Sequence, residues 1–249
     1  MNDAPSTQTP QRRWFGPGLE ELGAAHVAVA MEQVPVFNDY QPMGDWHVDV
    51  EKSTFRQGDV TVGMAPLGTF GTDGSWLWAW ANEHMHPPGS PRLAPVLALR
   101  NIGERHDIPE LVTPRLELSE FADPRMAAER LSIAAMGALG ARGYGGVTAN
   151  TGARFYMVMN DPAIPAAEFD AVTLPRMIMQ ALEVFPHDHR ATATGYLNRH
   201  GFRVKHSPAG GITAERPDCA VQLEFDDQGR LGNISVQPSP GNREGSAGA

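Results

Sequence analysis

The stretch Gly74-Ser75-Trp76-Leu77-Trp78-Ala79-Trp80-Ala81-Asn82 holds three of the chain's five tryptophans, two residues apart each time. A β-strand turns successive side chains to opposite faces. An extended 76–82 therefore puts Trp76, Trp78 and Trp80 on one face and Leu77, Ala79 and Ala81 on the other. Both faces are apolar and the second carries small residues, the pattern of a strand central in its sheet with helices packed close above it. A helix would scatter the three rings. The stretch predicts a core strand, with an aromatic ligand platform as the alternative.

Upstream, residues 46–50, 54–56 and 60–64 read as strands, with Gly58-Asp59 as a turn, and Pro66 and Gly68 interrupt before Thr69-Phe70. The connections are too short for crossover helices, so this is an antiparallel meander. Downstream, Asn82 ends the tryptophan strand and Pro87-Pro88-Gly89 breaks the structure. Ser90-Pro91 and Asp123-Pro124 each start a helix, a capping residue ahead of proline at the first helical position. Gly103 closes the first; the second is rich in alanine and glycine over 134–143 and reads as pressed against the sheet. Residues 143–146 end it, and 146–149 and 154–159 form a hairpin. Ahead of the meander, Leu19, Leu22, His26 and Val29 mark a helix reaching to about Gln33, with His26 a core residue on its apolar stripe.

Asp161-Pro162-Ala163-Ile164-Pro165 reads as a linker. Beyond it, Met177, Ile178, Ala181, Leu182 and Phe185 mark a helix and Asp188 caps a second. Gly201 ends that helix, with Phe202 placed to touch Leu197 in a Schellman arrangement. Short strands follow at 202–205, 212–215, 221–225 and 231–236. The expected class is α+β: a mainly antiparallel sheet packed by helices, followed by a smaller helix-helix-β-meander unit. The expected divisions are a disordered tail at 1–13, a main domain at 14–165, a C-terminal unit at 166–236 and a second tail at 237–249.

With 41% hydrophobic and 20% charged residues the chain can bury a core. A net charge of −9 argues against nucleic acid or anionic membrane as partners. The lone Cys219 excludes an internal disulfide and fits a reducing compartment. No apolar run approaches membrane-spanning length and the N-terminus lacks a signal-peptide layout, so the expected location is the cytoplasm.

His84-Met85-His86 and His187-Asp188-His189 each set two imidazoles two residues apart, a spacing that on a strand converges on one metal. A site needs a third ligand and usually a fourth, which neither pair has at a recognisable spacing. No metal and no cofactor are expected. Gly143-Tyr144-Gly145-Gly146 follows a helix and precedes a strand, the reverse of a phosphate loop. Cys219 has no base beside it and reads as a small core residue. Arg190, Arg199, His200, Arg203, Lys205 and His206 form a basic patch in an acidic chain. It reads as a solvated face, or else as a site for an anion or an acidic partner.

The segment 74–82 resembles an uncharacterised bacterial family, commonest in actinobacteria, known as a domain of unknown function. The helix ending in Leu99-Arg100-Asn101-Ile102-Gly103-Glu104, Ile108-Pro109-Glu110-Leu111, the alanine-rich helix and the hairpin around Phe155-Tyr156-Met157-Val158-Met159 extend the resemblance over residues 18–162. Segments 185–190, 195–197 and 201–204 resemble an extension of its actinobacterial members. The resemblance implies no activity, cofactor or catalytic residue.

The functional expectation is a non-catalytic binding or regulatory module with a protein or small-molecule partner. The alternatives are a metal-dependent enzyme using His84 and His86, and a carrier of an apolar small molecule on the Trp76/Trp78/Trp80 face. The expected partner site is the polar loop at Asn82, Glu83 and His84, which a rigid strand would hold in place. The second choice is the basic patch at Arg199 and Arg203.

Overall fold

The computed structural model describes residues 12–208 and 210–238. Helix α1 (Pro17–Tyr40) opens with proline at its start, where a missing N–H costs nothing, and Glu20 accepts a hydrogen bond from the Phe15 N–H at 2.9 Å. It continues past Gln33 and through Pro35 to Tyr40. Its apolar residues face more than one way, and they join three separate cores. Leu19 and Ala30 pack with Trp76 and Trp78; Ala24, Val27 and Ala28 pack with the C-terminal helices; Phe37 packs with Phe55, Val62 and Met157.

Seven strands form one antiparallel sheet: β1 (Trp46–Asp49), β2 (Thr54–Gln57), β3 (Val60–Phe70), β4 (Ser75–Trp78), β5 (Arg115–Glu117), β6 (Gly143–Thr148) and β7 (Arg154–Met159). Strands β1 to β5 pair in chain order, β7 also pairs with β3, and β6 lies beyond β7. Two local readings change. Pro66 and Gly68 do not split β3: the register slips between them, and this bulge lets the strand pass its proline while still paired to β7. The glycines at 143, 145 and 146 do not merely end a helix but form half of β6.

The tryptophan strand is shorter than its periodicity suggests. β4 stops at Trp78, and Ala79–Ala81 close a tight turn in which the Asn82 N–H returns to the Ala79 carbonyl at 3.2 Å. Trp76 and Trp78 are 0% and 1% exposed, and their rings meet edge to face at 5.4 Å. The Trp78 indole N–H donates to the Glu110 carbonyl at 2.8 Å. Gly68 makes room for this packing, since a Cβ there would lie 2.6 Å from the Trp76 ring. Trp80 leaves the row. It is half-buried, with the Arg100 guanidinium 4.6 Å above its ring.

Helices α2 (Ala94–His106), α3 (Pro109–Val112) and α4 (Pro124–Leu139) complete the first unit. Asp123 caps α4 through the Met126 N–H at 2.9 Å. Ser90 does not cap α2: its Oγ accepts from Arg92, and a short turn over Pro91–Leu93 precedes the helix. The second unit is α5 (Leu174–Val184), α6 (His189–Arg199) and an antiparallel sheet of β8 (Arg203–His206), β9 (Ile212–Arg216), β10 (Cys219–Phe225) and β11 (Leu231–Pro238). Asp188 caps α6 through the Ala191 N–H at 2.8 Å. Gly201 takes a φ of 76°, and the Phe202 N–H reaches back to the Leu197 carbonyl at 3.1 Å.

Most of both expected tails lies outside the described residues. At their inner ends, Arg12 is bonded through its backbone to Glu120 and Ala122, while Gln237 and Pro238 belong to β11.

Helix α1 sits between α4 and α6, and glycines set both separations. A Cβ on Gly137 of α4 would lie 2.5 Å from the His26 carbonyl oxygen, and one on Gly195 of α6 would overlap the Ala25 carbonyl oxygen. In a free helix Gly→Ala is favourable by about 1 kcal/mol. At Gly195 the clash is with backbone, which cannot swing aside. Gly195→Ala is therefore expected to cost about 3 kcal/mol, the upper end for overpacking. Gly232→Ala, with only an ordinary 3.8 Å contact, is expected to be neutral or slightly stabilising. Urea unfolding midpoints of the two variants check this. By the same measurement Trp78→Ala is expected to cost about 3–5 kcal/mol, the range for a fully buried aromatic, and Trp80→Ala clearly less.

Candidate functional site

One buried acid, a partly buried imidazole, the partly buried Arg142 and the exposed Arg199 line a cleft where α1, the end of α4, segment 161–167 and the end of α6 meet. Its volume is about 220 Å3. Glu32 is the only charged residue in the apolar run of α1 from Ala24 to Phe37, apart from the titratable His26. Its carboxylate is held on both oxygens. The Tyr196 hydroxyl donates to Oε1 at 2.5 Å, and His200 Nε2 stands 2.8 Å from Oε2. Nε2 is thus placed to donate to the carboxylate. The Glu32 and His200 side chains are each 10% exposed. Phe169 packs over His200 at 5.3 Å, which shields the pair further.

Gln33, next along α1, ties the linker down. Its Nε2 donates to the Arg142 carbonyl at 3.0 Å and the Pro165 carbonyl at 2.9 Å, and its Oε1 accepts from the Ala167 N–H at 2.7 Å. Arg142 adds a bond from Nη1 to the Ile164 carbonyl at 3.0 Å, and Asp161 accepts from the Gly63 N–H at 2.8 Å. The linker is thus bonded to the main unit along its length.

Two guanidiniums line the cleft without a carboxylate partner among the described residues: Arg142, bonded only to a carbonyl, and Arg199 at the exposed end of α6. Burial, and then the charge of Arg199, hold the pKa of the nearby His26 below its ordinary value. Burial, then the bond to Glu32 and its charge, push the Tyr196 phenol well above its ordinary value.

Other concavities are built differently. One of about 430 Å3 is lined by Trp14, Phe121 and Met126, by the charged Arg12, Arg13, Asp123 and Glu183, and by the buried Arg130. Its buried cation is already bonded to both Glu20 oxygens, at 2.8 and 2.9 Å. Another, of about 420 Å3 between Trp46 and Tyr144, has no carboxylate or imidazole in its lining.

The residues expected from sequence divide. Arg199 lines the cleft. Arg203 is exposed on β8. Asn82 caps its own turn, accepting from the Met85 N–H, while Glu83 and His84 are exposed; none of these three lines the cleft. The metal-enzyme alternative needed His84 and His86 on one face. Instead His84 is exposed and His86 is 2% exposed, because the chain turns at Ala79–Ala81 and no strand continues to align them. Burial, then the charge of Arg92, lower the His86 pKa. Among the described residues no group of three or more His, Cys, Asp or Glu could hold a metal ion. The apolar-carrier alternative needed an open tryptophan face, and Trp76 and Trp78 have none. Sequence reasoning missed Glu32, Gln33, Arg142 and Tyr196. The one signal was Glu32 itself, a carboxylate inside an otherwise apolar helix run.

The protein is thus of α+β class, two antiparallel sheets joined through a shared central helix. A family of unknown function, DUF6882, matches residues 20–162, more than half of the 249 residues, and the chain belongs to it. No curated protein matches the chain, and no solved structure does. The family match ends before the second unit, so Ala166, Ala167, Arg199 and His200 enter the cleft from outside it.

The buried phenols define an alkaline limit. Tyr144 is pushed up to about 12, chiefly by burial and then by Glu129, and Tyr156 and Tyr196 are raised in the same direction. Unfolded tyrosines lose their protons near pH 10 while these retain theirs, so above that pH the native state binds more protons. Stability is expected to be level up to about pH 10 and to fall as pH rises beyond it. Urea melts from pH 8 to 12 check this, with a shallower decline in Tyr196→Phe.

Proposed function

We propose that this protein is a non-catalytic binding module with a regulatory role, and that its ligand seat is the cleft around Glu32, Arg142, Arg199 and His200. One observation carries the reading: a buried, doubly bonded carboxylate lies in the same cleft as two guanidiniums that no carboxylate among the described residues neutralises. Burying charge is costly, and sites that maintain it beside an opening are candidates for ligand recognition. The cleft draws its walls from both units, a common setting for ligands. A molecule seated there would bridge α1 and α4 to the linker and α6, and so couple occupancy to how firmly the second unit is held. That coupling is the regulatory part of the proposal.

The acidic net charge supports a small-molecule or protein partner rather than nucleic acid or an anionic membrane. The lone Cys219, buried on β10, fits a cytoplasmic setting. Among the described residues no helix is long and apolar enough to cross a membrane. Glu83, His84 and Arg203 stand outside the seat and are proposed as partner contacts on their exposure alone.

The test is a thermal-shift screen of small polar metabolites against the wild-type protein and Arg199→Ala. Because Arg199 is exposed, the ligand-free variant is expected to lie within about 0.5 kcal/mol of wild type. A compound that stabilises the wild type in a saturable way should lose its effect on the variant. A full shift retained by Arg199→Ala would move the seat elsewhere, and chemical turnover of the bound compound would overturn the non-catalytic reading.

A further inference from the structure

We infer that the ligand of this cleft is a small zwitterion of the aliphatic α-amino acid class. The inference rests on the cleft being the ligand seat, and it follows from four properties of the lining.

The first is size. A cavity of roughly 150 Å3 takes a benzene ring, so a space of about 220 Å3 suits a ligand of about six to ten non-hydrogen atoms. Alanine and valine are of that size; tryptophan and arginine are not.

The second is a pair of guanidiniums. Arg142 and Arg199 have no carboxylate partner among the described residues, and a guanidinium is built to receive a carboxylate through paired N–H groups. A ligand carboxylate supplies the missing charge.

The third is a set of acceptors in the same small space. Each Glu32 oxygen accepts one hydrogen bond, which leaves lone pairs on both. Helix α4 ends there at Gly140 and α6 at Arg199, so two helix C-termini, each equivalent to about half a negative charge, adjoin the cleft. An ammonium suits these groups.

Charge arithmetic then decides among ligand classes. Phosphate or a dicarboxylate would satisfy the arginines but crowd its second negative charge against Glu32. A simple amine would satisfy Glu32 but leave Arg142 and Arg199 facing it. Charges of one sign held close in a partly buried site repel by several kcal/mol. A monocarboxylate would satisfy the arginines but leave the Glu32 lone pairs and the helix C-terminal carbonyls without a donor; a zwitterion meets both sets of groups, and the isobutyrate comparison below separates the two.

The fourth property is the remaining wall: Val29, Ala30, Met136, Ala141, Ala166 and Ala167. These offer apolar contact and no polar group of their own side chains, which suits a short hydrocarbon side chain.

The experiment is isothermal titration of the full-length protein with L-alanine and L-valine. Comparison probes are isobutyrate, isobutylamine, L-tryptophan, succinate and inorganic phosphate. At least one of the two amino acids should bind saturably, with isobutyrate and isobutylamine tenfold weaker or more, and with no binding of L-tryptophan. Arg199→Ala should weaken the amino acid at least tenfold, whereas Arg105→Ala, an exposed change on α2, should not alter it. Circular dichroism melts of both variants should match wild type, which separates lost binding from lost folding.

If succinate or phosphate binds in an Arg199-dependent way and neither amino acid does, the cleft stands as the seat and the amino-acid assignment fails. If no probe binds in an Arg199-dependent way, the assignment fails. A broader metabolite screen then decides the fate of the seat by itself.

Discussion

Helix α1 is the constraint on which the rest of the structure depends. Among the described residues it is the one element that contributes to all three apolar cores, through Leu19 and Ala30, through Ala24, Val27 and Ala28, and through Phe37. Its neighbours α4 and α6 approach so closely at Gly137 and Gly195 that no side chain fits at either crossing. Close backbone approach brings many weak dispersion contacts together, and it also removes freedom to slide. Once α1 is placed against the first sheet, the position of the second unit is set by the same helix. The linker bonds made by Gln33 then hold what the glycines have aligned.

That geometry creates the cleft and explains its chemistry. Glu32 lies one residue before Gln33, where α1 passes between the ends of α4 and α6. A carboxylate there would be expensive to bury alone. Tyr196 and His200 compensate it from α6, and the Arg142 and Arg199 guanidiniums stand nearby. The Tyr196 hydroxyl and the His200 ring meet the hydrogen-bonding demand of the Glu32 carboxylate, the group on which the proposed discrimination of ligands by sign rests. The family segment supplies Glu32, Gln33 and Arg142, and the unit beyond it supplies Arg199 and His200. The complete cleft is therefore a property of the whole chain, not of the matched segment alone.

The tryptophan strand plays a different part from the one its sequence suggests. Trp76 and Trp78 fill the first core and support the sheet under α1, with the Trp78 N–H bonded to the Glu110 carbonyl. No ligand reaches them. The polar loop that follows is shaped by the Ala79–Ala81 turn, which sends His86 inward and leaves His84 in solvent.

Local physics made much of the fold legible from sequence. Apolar alternation marked the meander strands, Asp123 and Asp188 marked two helix starts, and Gly201 with Phe202 marked a helix end, because each signal acts between residues a few positions apart. The errors arose where a distant partner overruled a local cue. Pro66 and Gly68 were accommodated by a bulge against β7, and Pro35 by a helix packed on several sides. The site was hardly legible: of its charged residues the sequence singled out Arg199, from a basic cluster. Glu32 meets Tyr196 and His200 across separations of 164 and 168 residues, and no local pattern encodes such a meeting. The sequence alone determined most of the helices and strands and most of their apolar faces, because those rest on local periodicity and capping. Only the tertiary structure decided that a central helix would bring one acid, one imidazole and two guanidiniums into one cleft, because their convergence depends on how α1 crosses α4 and α6.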